Sequence, residues 1–168
     1  MKRRGYNKLK TQRKFSLHFE DDIVNNIYAL REVLAMGLNE FMEKTLKPDL
    51  FAIEADITSE KYDIVIQYFN LSRLIGIHTH RINNDIAKKK NIIEIKFPLL
   101  MSRTIHKISD TIHWKPERFI EDVVSRKINE IVEDMKNRNY DFLTIYLDSD
   151  LTEIVKLINQ IYKKDIKN

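Results

Sequence analysis

An order of local patterns that occurs twice in the chain constrains its fold more than any other feature. Each copy begins with a short segment of alternating apolar and polar residues, continues with an amphipathic helix and a brief turn, and ends with a second helix. The copies cover residues 15–48 and 92–137, and equivalent strand positions lie about 80 residues apart. One strand with two helices cannot bury a core by itself, because the strand keeps unpaired backbone groups and the helices form a thin layer. We therefore expect the two strands to pair antiparallel above four packed helices.

Both strands are predicted from alternation with a period of two. The first segment is RKFSLHF at residues 13–19, and the second is IIEIKF at residues 92–97. The intervening polar residues should point to solvent. The apolar residues that we expect to face the helices are Phe15, Leu17, Phe19, Ile93, Ile95 and Phe97.

Apolar residues at helical spacing predict the four helices. In the first copy a helix follows the acidic residues 20–22 and ends at Gly37, and the next helix is short because Pro48 ends it. In the second copy one helix begins after Pro98, and a second helix of about five turns begins at Pro116. The chain contains only 3 Gly and 3 Pro, and so few helix breakers favour long regular elements.

Two further segments complete the predicted organisation. Residues 49–91 form a helical connector and a polar loop, with the helix expected over residues 58–75. Residues 138–168 form a C-terminal strand, FLTIYL at residues 142–147, and a helix. The predicted fold class is therefore mainly α with short strands (α+β), built from two strand-helix-helix units, a connecting helix and a C-terminal strand and helix.

Composition excludes several classes of function. The chain of 168 residues is 43% hydrophobic, enough for a packed core, and it has no cysteine, which excludes disulfides, thiolate catalysis and thiolate zinc sites. Three glycines cannot form a glycine-rich phosphate loop. No stretch approaches 18 consecutive apolar residues, and the basic N-terminus lacks the apolar segment of a secretory signal. We expect a cytoplasmic protein without membrane spans, cofactors or a small-molecule substrate.

Positive charge is concentrated in an N-terminal arm, residues 1–14. The arm contains seven basic residues and no acid, so it carries +7; because the whole chain is +4, the remaining residues carry −3. Basic arms of this kind bind the phosphate backbone of nucleic acids. The alternative interpretation is a solvated terminus that keeps the protein soluble.

Two paired strands above four helices resemble the ribbon-helix-helix family of DNA-binding proteins, of which the Arc and methionine repressors are typical. In that family the two-stranded ribbon enters the major groove, and its outward side chains read base edges. The resemblance implies that Lys14, Ser16 and His18 face the bases, and that Glu94 and Lys96 face outward on the second strand.

The resemblance also covers the start of each second helix. Residues 37–41 (GLNEF) and 115–124 (KPERFIEDVV) are similar to the family's turn into that helix, where backbone N–H groups bind a phosphate. The arm and the resemblance together give the predicted DNA-binding residues, which are Lys2, Arg3, Arg4, Lys8, Lys10, Arg13, Lys14, Ser16, His18, Asn39, Lys96 and Arg118.

Other candidate sites have simpler explanations. His78 and His80 could form a metal pair, but no third ligand is near them in the sequence, and they fall in the predicted polar loop. His106 and His113 could share a helix face, which is common for surface histidines. Carboxylate pairs lie at predicted helix ends or on polar helix faces, where capping and solvation explain them. We therefore predict no catalytic residue, no metal site and no enzyme activity.

The resulting hypothesis is a DNA-binding protein, sequence-specific or architectural, such as a repressor or another transcriptional regulator, or an accessory factor of a plasmid or phage. Its partner would be double-stranded DNA. The alternative is a helical protein-interaction module, antitoxin-like or anti-host, which would use the acidic body and the apolar stripes at residues 116–135 and 151–162. The oligomeric state stays open. The two copies either close one chain as a monomer, or the first copies of two chains pair as a C2 homodimer on a palindromic site.

Overall fold

The computed structural model of the chain describes residues 12–66, 91–147 and 156. Its described part is mainly helical with one two-stranded antiparallel sheet, which confirms the predicted α+β class. In chain order the elements are β1 (Gln12–Phe19), α1 (Asp21–Val33), α2 (Leu38–Thr58), β2 (Asn91–Pro98), α3 (Leu99–Ile112), α4 (Pro116–Lys136) and a 3-10 helix (Asp141–Ile145).

The strands β1 and β2 pair as a ribbon in a register that places Phe15 opposite Ile95 and Leu17 opposite Ile93. The six apolar side chains predicted to face the helices are each at most 3% exposed, so they form one layer of the core. The rings of Phe15 and Phe97 pack together with centroids 5.7 Å apart. Pairing gives each strand the backbone partners that it would lack alone. The antiparallel pairing predicted from the sequence is confirmed.

The helices pack crosswise beneath the ribbon. α2 contacts β2 and α3, α4 contacts β1 and α1, and α2 and α4 contact each other. Their apolar stripes meet in a single core, where Phe41 on α2 and Phe119 on α4 are both fully buried. Each long helix thus covers the strand from the other half of the chain. This packing of each long helix on the other strand fits the expectation that one strand and two helices cannot bury their apolar surface alone.

The turn that ends α1 is formed by Ala35. This residue has φ 52°, and its N–H donates to the carbonyl of Glu32 while the N–H of Met36 donates to the carbonyl of Arg31. These two bonds are the Schellman pattern, and they offset the cost of about 1–2 kcal/mol for a left-handed residue that is not glycine. Gly37 instead precedes α2 as its N-cap, with φ −65°. The prediction that Gly37 ends the first helix is therefore wrong.

Pro48 does not end the second helix. α2 runs through it to Thr58, so the prediction that Pro48 ends this helix is wrong. A proline inside a helix removes one hydrogen bond and costs about 3 kcal/mol. Beyond it, Leu50 and Ile53 are 0% and 1% exposed. Burying each such side chain contributes about 1.5–3 kcal/mol, so tertiary burial outweighs the local cost of the proline.

Residues 142–147 do not form the predicted third strand. Residues 141–145 are a 3-10 helix, in which Phe142 is buried and Thr144 is exposed; Tyr146, which follows it, is also buried. In a strand Phe142, Thr144 and Tyr146 would share one face, so an exposed Thr144 between two buried residues fits a helical turn instead. The ribbon is also a poor template for a further strand here, because the N–H groups of His18 and Lys96 already donate to side chains.

The helix predicted over residues 58–75 does not begin at Thr58, which is the last residue of α2 and is followed by Ser59 as its C-cap. Residues 63–66 are helical again, and the rest of that prediction lies outside the described residues. The polar loop with His78 and His80, and the predicted C-terminal helix apart from residue 156, also lie outside them. No helix among the described residues is both long enough and apolar enough to cross a membrane.

Candidate nucleic-acid interface

The solvent-facing side of the ribbon carries the side chains that alternate with the core residues, and all of them are exposed. A two-stranded ribbon is narrow enough to enter the major groove of B-form DNA, where donors and acceptors of each base pair differ. The cross-strand pairs on this face are Lys14 with Lys96, Ser16 with Glu94, and His18 with Ile92.

Basic groups outnumber acidic groups on this face. Lys14 and Lys96 lie opposite each other on it, whereas Arg13, although exposed, lies opposite Phe97 and shares the parity of the core residues. Glu94 is the acidic residue of the face, and its Oε1 lies 2.6 Å from Nζ of Lys14. Both side chains of this ion pair are more than half exposed, and such pairs contribute little to stability. Lys14 can therefore exchange Glu94 for an acceptor on DNA at low cost.

Side chains from the two long helices hold the outer edges of the ribbon. The backbone N–H of His18 donates to Oε1 of Glu121 at 2.7 Å, and the N–H of Lys96 donates to Oδ1 of Asn39 at 3.0 Å. Asn39 lies in the first turn of α2, and Glu121 lies in the second turn of α4. The N-terminal turns of α2 and α4 therefore flank the ribbon, one along each edge.

The starts of these helices present free backbone N–H groups beside one acidic side chain each, Glu40 in α2 and Glu117 in α4. Their N-caps are Gly37 and Lys115, and neither makes a side-chain hydrogen bond to its helix. Backbone N–H groups of the first turn, together with the helix dipole, favour negative charge at such a position. At the start of α4 the guanidinium of Arg118 lies over the ring of Trp114, 4.4 Å from its centroid. This cation–π contact holds a positive charge beside the helix start.

The described residues bring seven of the predicted DNA-binding residues into this region. Asn39 and Arg118 lie at the two helix starts, and Asn39 uses its carbonyl oxygen to hold β2. The other five lie on the ribbon and are Arg13, Lys14, Ser16, His18 and Lys96.

The first strand begins within one residue of its prediction. β1 begins at Gln12, so Arg13 and Lys14, which were predicted both in the basic arm and in the strand at residues 13–19, belong to the strand. Strand pairing extends to Gln12 because β2 continues to Pro98 and provides a partner there. The remaining predicted DNA-binding residues, Lys2, Arg3, Arg4, Lys8 and Lys10, lie outside the described residues.

Two residues of this interface are missing from the prediction. Ile92 is 62% exposed and stands on the outward face opposite His18. Its position follows from the same alternation that buries Ile93, so the sequence contained a signal for it. Glu121 has no such signal, because its role depends on where α4 crosses β1.

Other chemistry finds little support in the described parts of the chain. Within residues 12–66 and 91–147, no three His, Cys, Asp or Glu side chains come together in a group that could hold a metal ion. The ring of His106 packs against Phe15 with centroids 6.0 Å apart. His113 adopts the left-handed conformation that ends α3. Both histidines therefore have structural positions.

Comparison with known proteins identifies no relative: no family model, no curated protein and no solved structure matches this chain.

Proposed function

We propose that this chain binds duplex DNA in the manner of ribbon-helix-helix proteins, with two strand-helix-helix units of one chain forming a single reading head. The ribbon enters the major groove, the starts of α2 and α4 bind the flanking phosphates, and the basic arm adds phosphate contacts. A repressor or an accessory factor of a plasmid or phage would use such a head. The observation that carries the proposal is the polar, basic ribbon face with one helix start along each edge.

The bounds of the elements support two equivalent units. α3 begins at Leu99, 78 residues after the start of α1, and α4 begins at Pro116, 78 residues after the start of α2. Both α2 and α4 have 21 residues. Residues 12–58 are therefore named the first unit and residues 91–136 the second unit, and positions 78 residues apart are named equivalent.

Burial follows the same equivalence. Phe41 and Phe119 are equivalent and fully buried, and the other buried positions of α2 as far as Ile53 also have buried equivalents on α4. The two edge N–H groups, of His18 and Lys96, are equivalent as well. On the first helices, the four buried residues of α1 (Ile23, Val24, Ile27 and Leu30) all have buried equivalents in α3 (Met101, Ser102, Ile105 and Ile108), where Thr104 and Ser109 are buried in addition.

The outward side chains supply the chemistry that base reading needs. Lysine donates to N7 and O6 of guanine, and the serine hydroxyl and histidine ring can donate or accept. These groups stand on a rigid layer, because the alternate residues of each strand are buried in the core. The ribbon therefore fixes the direction in which each of these side chains can contact a base.

The test is binding of the full chain to a random-sequence duplex pool at increasing salt concentration, read by gel shift or fluorescence anisotropy. We expect binding that weakens steeply with salt. Deleting residues 1–11 removes five basic residues and leaves β1 intact, so the log–log salt slope should become shallower by about 4 to 5.

A pair of single variants localises the contact. Lys96→Ala should make the salt slope shallower by about 1, because it removes one cation from the ribbon face. Lys136→Ala is the matched control: this lysine is also exposed, but it ends α4, about 30 Å from the helix start. Failure of the full chain to shift any duplex at low salt would contradict the proposal.

A helical protein-interaction module is the second candidate, and one surface favours it. A cavity of about 550 Å³ opens between α1 and the C-terminal half of α4, and its described lining is almost entirely apolar. Val33, one of the lining residues, is 84% exposed. Deletion of residues 1–11 separates the two functions, because a protein bound in this groove would not need the arm.

A further inference from the structure

Two pairs of equivalent residues contact each other across the interface of the two units. In the ribbon, Ser16 pairs with Glu94. Between the long helices, Asp49 on α2 lies 3.5 Å from Lys127 on α4, measured from Oδ2 to Nζ. Equivalent residues that meet in this way mark the pseudo-two-fold axis that relates the units. In a dimer of identical units, each of these four residues would face its own copy.

The charges on this axis favour pairing of the two different units. Asp49 meets Lys127, and both side chains are largely buried. If first units paired with each other, Asp49 would meet a second Asp49. If second units paired, Lys127 would meet Lys127 and Glu94 would meet Glu94. Partly buried like charges repel strongly, so a first unit pairs with a second unit, as the two units of this one chain do in the structure.

The protonation of Lys127 agrees with this pairing. Burial alone would lower the pKa of its ammonium group, but the hydrogen bond with Glu130 and the charge of Asp49 raise that pKa above its ordinary value. Burial raises the pKa of Asp49, and the charge of Lys127 opposes that rise. The lysine therefore stays charged on the axis, where a copy of itself would be repelled.

The outward face of the ribbon lacks the two-fold symmetry of the core beneath it. Lys14 is equivalent to Ile92, Ser16 to Glu94, and His18 to Lys96. The first pair differs most, since one member is a cationic donor and the other is an exposed apolar side chain. A lysine selects guanine, whereas an apolar side chain selects the methyl group of thymine. The two strands therefore cannot prefer the same half-site.

We infer that a single copy of this chain reads a non-palindromic DNA site, with β1 on one half-site and Ile92 of β2 on a thymine methyl in the other. The inference rests on the proposed DNA binding and adds the symmetry of the site and one specificity residue. Burial of one methyl group contributes about 0.8 kcal/mol, which is about fourfold in Kd. Loss of that methyl group should weaken binding by this factor.

The experiment begins with selection of duplexes from a random pool by the full chain, followed by the mass of the complex. We expect an asymmetric motif bound by one chain of 20.1 kDa. Each thymine of the motif is then replaced by deoxyuridine, which lacks the methyl group. One replacement should weaken binding of the unaltered chain about fourfold and leave binding by Ile92→Ala unchanged. Val33→Ala, an exposed apolar change on α1, is the matched control and should keep the dependence on that thymine.

The outcomes separate this inference from the proposed function. A palindromic motif bound by two chains overturns the inference, and so does a motif in which no thymine methyl depends on Ile92. Binding without any motif also overturns it, while DNA binding itself stands. Absence of binding to every duplex at low salt overturns both.

Charge reversal tests the pairing of units without DNA. Asp49→Lys and Lys127→Asp should each lower the urea midpoint of unfolding, because each places like charges on the axis. The double variant should recover most of the loss. Additive losses in the double variant would overturn the assignment of the axis and with it the closed single chain.

Discussion

The two units of this protein agree in what they bury and differ in what they expose. Equivalent positions in the core hold different apolar side chains, such as Leu46 and Val124, yet both are fully buried. The left-handed turns are also equivalent, since Ala35 and His113 have φ 52° and 57°. Neither residue is a glycine, so the fold imposes this conformation through the hydrogen bonds of the turn. The position of a residue within its unit therefore determines its burial and its backbone conformation more than its side-chain type does.

The surfaces of the two units differ. Glu54 of α2 forms an ion pair with Lys107 at 3.7 Å and accepts a hydrogen bond from Thr104 at 3.4 Å, which links α2 to α3. The equivalent positions on α4 and α1 line the apolar groove instead; they are Val132, Ala29 and Asn26. Polar contacts therefore join α2 to α3, whereas the equivalent helices α4 and α1 leave an apolar surface between them. Side chains without a role in the core are free to acquire separate binding functions.

The largest loss of stability should come from truncating the two equivalent phenylalanines in the core. Phe41→Ala and Phe119→Ala should each reduce the free energy of unfolding by about 3–5 kcal/mol, because each leaves a cavity in the shared core. Both should shift one urea transition, measured by circular dichroism, and Phe51→Ala, a change at an exposed site on α2, should shift it little. Two separate transitions, each sensitive to one variant, would show that the units fold independently.

Substitutions at Pro48 and at its equivalent position, Arg126, should change the free energy of unfolding in opposite directions. Pro48→Ala should raise the free energy of unfolding by about 1–3 kcal/mol, because it restores a hydrogen bond to the carbonyl of Lys44 at an exposed site. Arg126→Pro should lower it by about 3 kcal/mol or more. Thermal and urea unfolding measure both changes, with Lys47→Ala as the control beside the proline. A destabilised Pro48→Ala would mean that α2 needs the proline for its packing.

Tyr146, which contacts Thr45 and Phe41 of the first unit, should make the free energy of unfolding depend on pH in the alkaline range. Burial raises the pKa of its hydroxyl to about 12, against an ordinary value of 10.0. A raised folded pKa means that this contribution to stability is complete below pH 10.0 and is lost as the pH rises towards about 12. The loss should reach about 2–3 kcal/mol.

Urea midpoints measured below and above pH 10 test this dependence. Tyr146→Phe should remove that part of the alkaline loss, whereas Tyr28→Phe, at an exposed site on α1, should keep it. Equal alkaline slopes for the unaltered chain and Tyr146→Phe would count against burial of the hydroxyl.

The smallest loss of stability should come from replacing Thr45 with valine, the residue type at its equivalent position, Val123. The hydroxyl of Thr45 lies 2.8 Å from that of Tyr146 and donates to the carbonyl of Phe41 at 2.7 Å. Thr45→Val should cost about 1–2 kcal/mol, since it leaves the buried Tyr146 hydroxyl without this partner. Combining it with Tyr146→Phe should recover part of the loss in the urea midpoint. Strict additivity of the two variants would mean that the hydroxyls do not interact.

Much of the candidate interface could be predicted from the sequence, because alternation in a strand is a local property. The parity of Phe15, Leu17 and Phe19 was enough to place Lys14, Ser16 and His18 outward. The same parity places Ile92, the first residue of the second strand predicted at residues 92–97, outward as well. The contacts of Glu121 and Asn39 with the ribbon edges could not be found in this way, because they join segments 103 and 57 residues apart.

The sequence alone determined the two strands, their buried faces and the helix that begins at Pro116, since hydrophobic period and proline geometry act over a few neighbouring residues. The tertiary structure decided the features in which burial against distant parts of the chain outweighed the conformational preference of the local sequence. α2 continues through Pro48 because Leu50 and Ile53 are buried by other elements, and residues 141–145 form a 3-10 helix in which Phe142 is buried. It also brought Asp49 to Lys127, because these residues lie on helices that meet only when the two halves of the chain pack together.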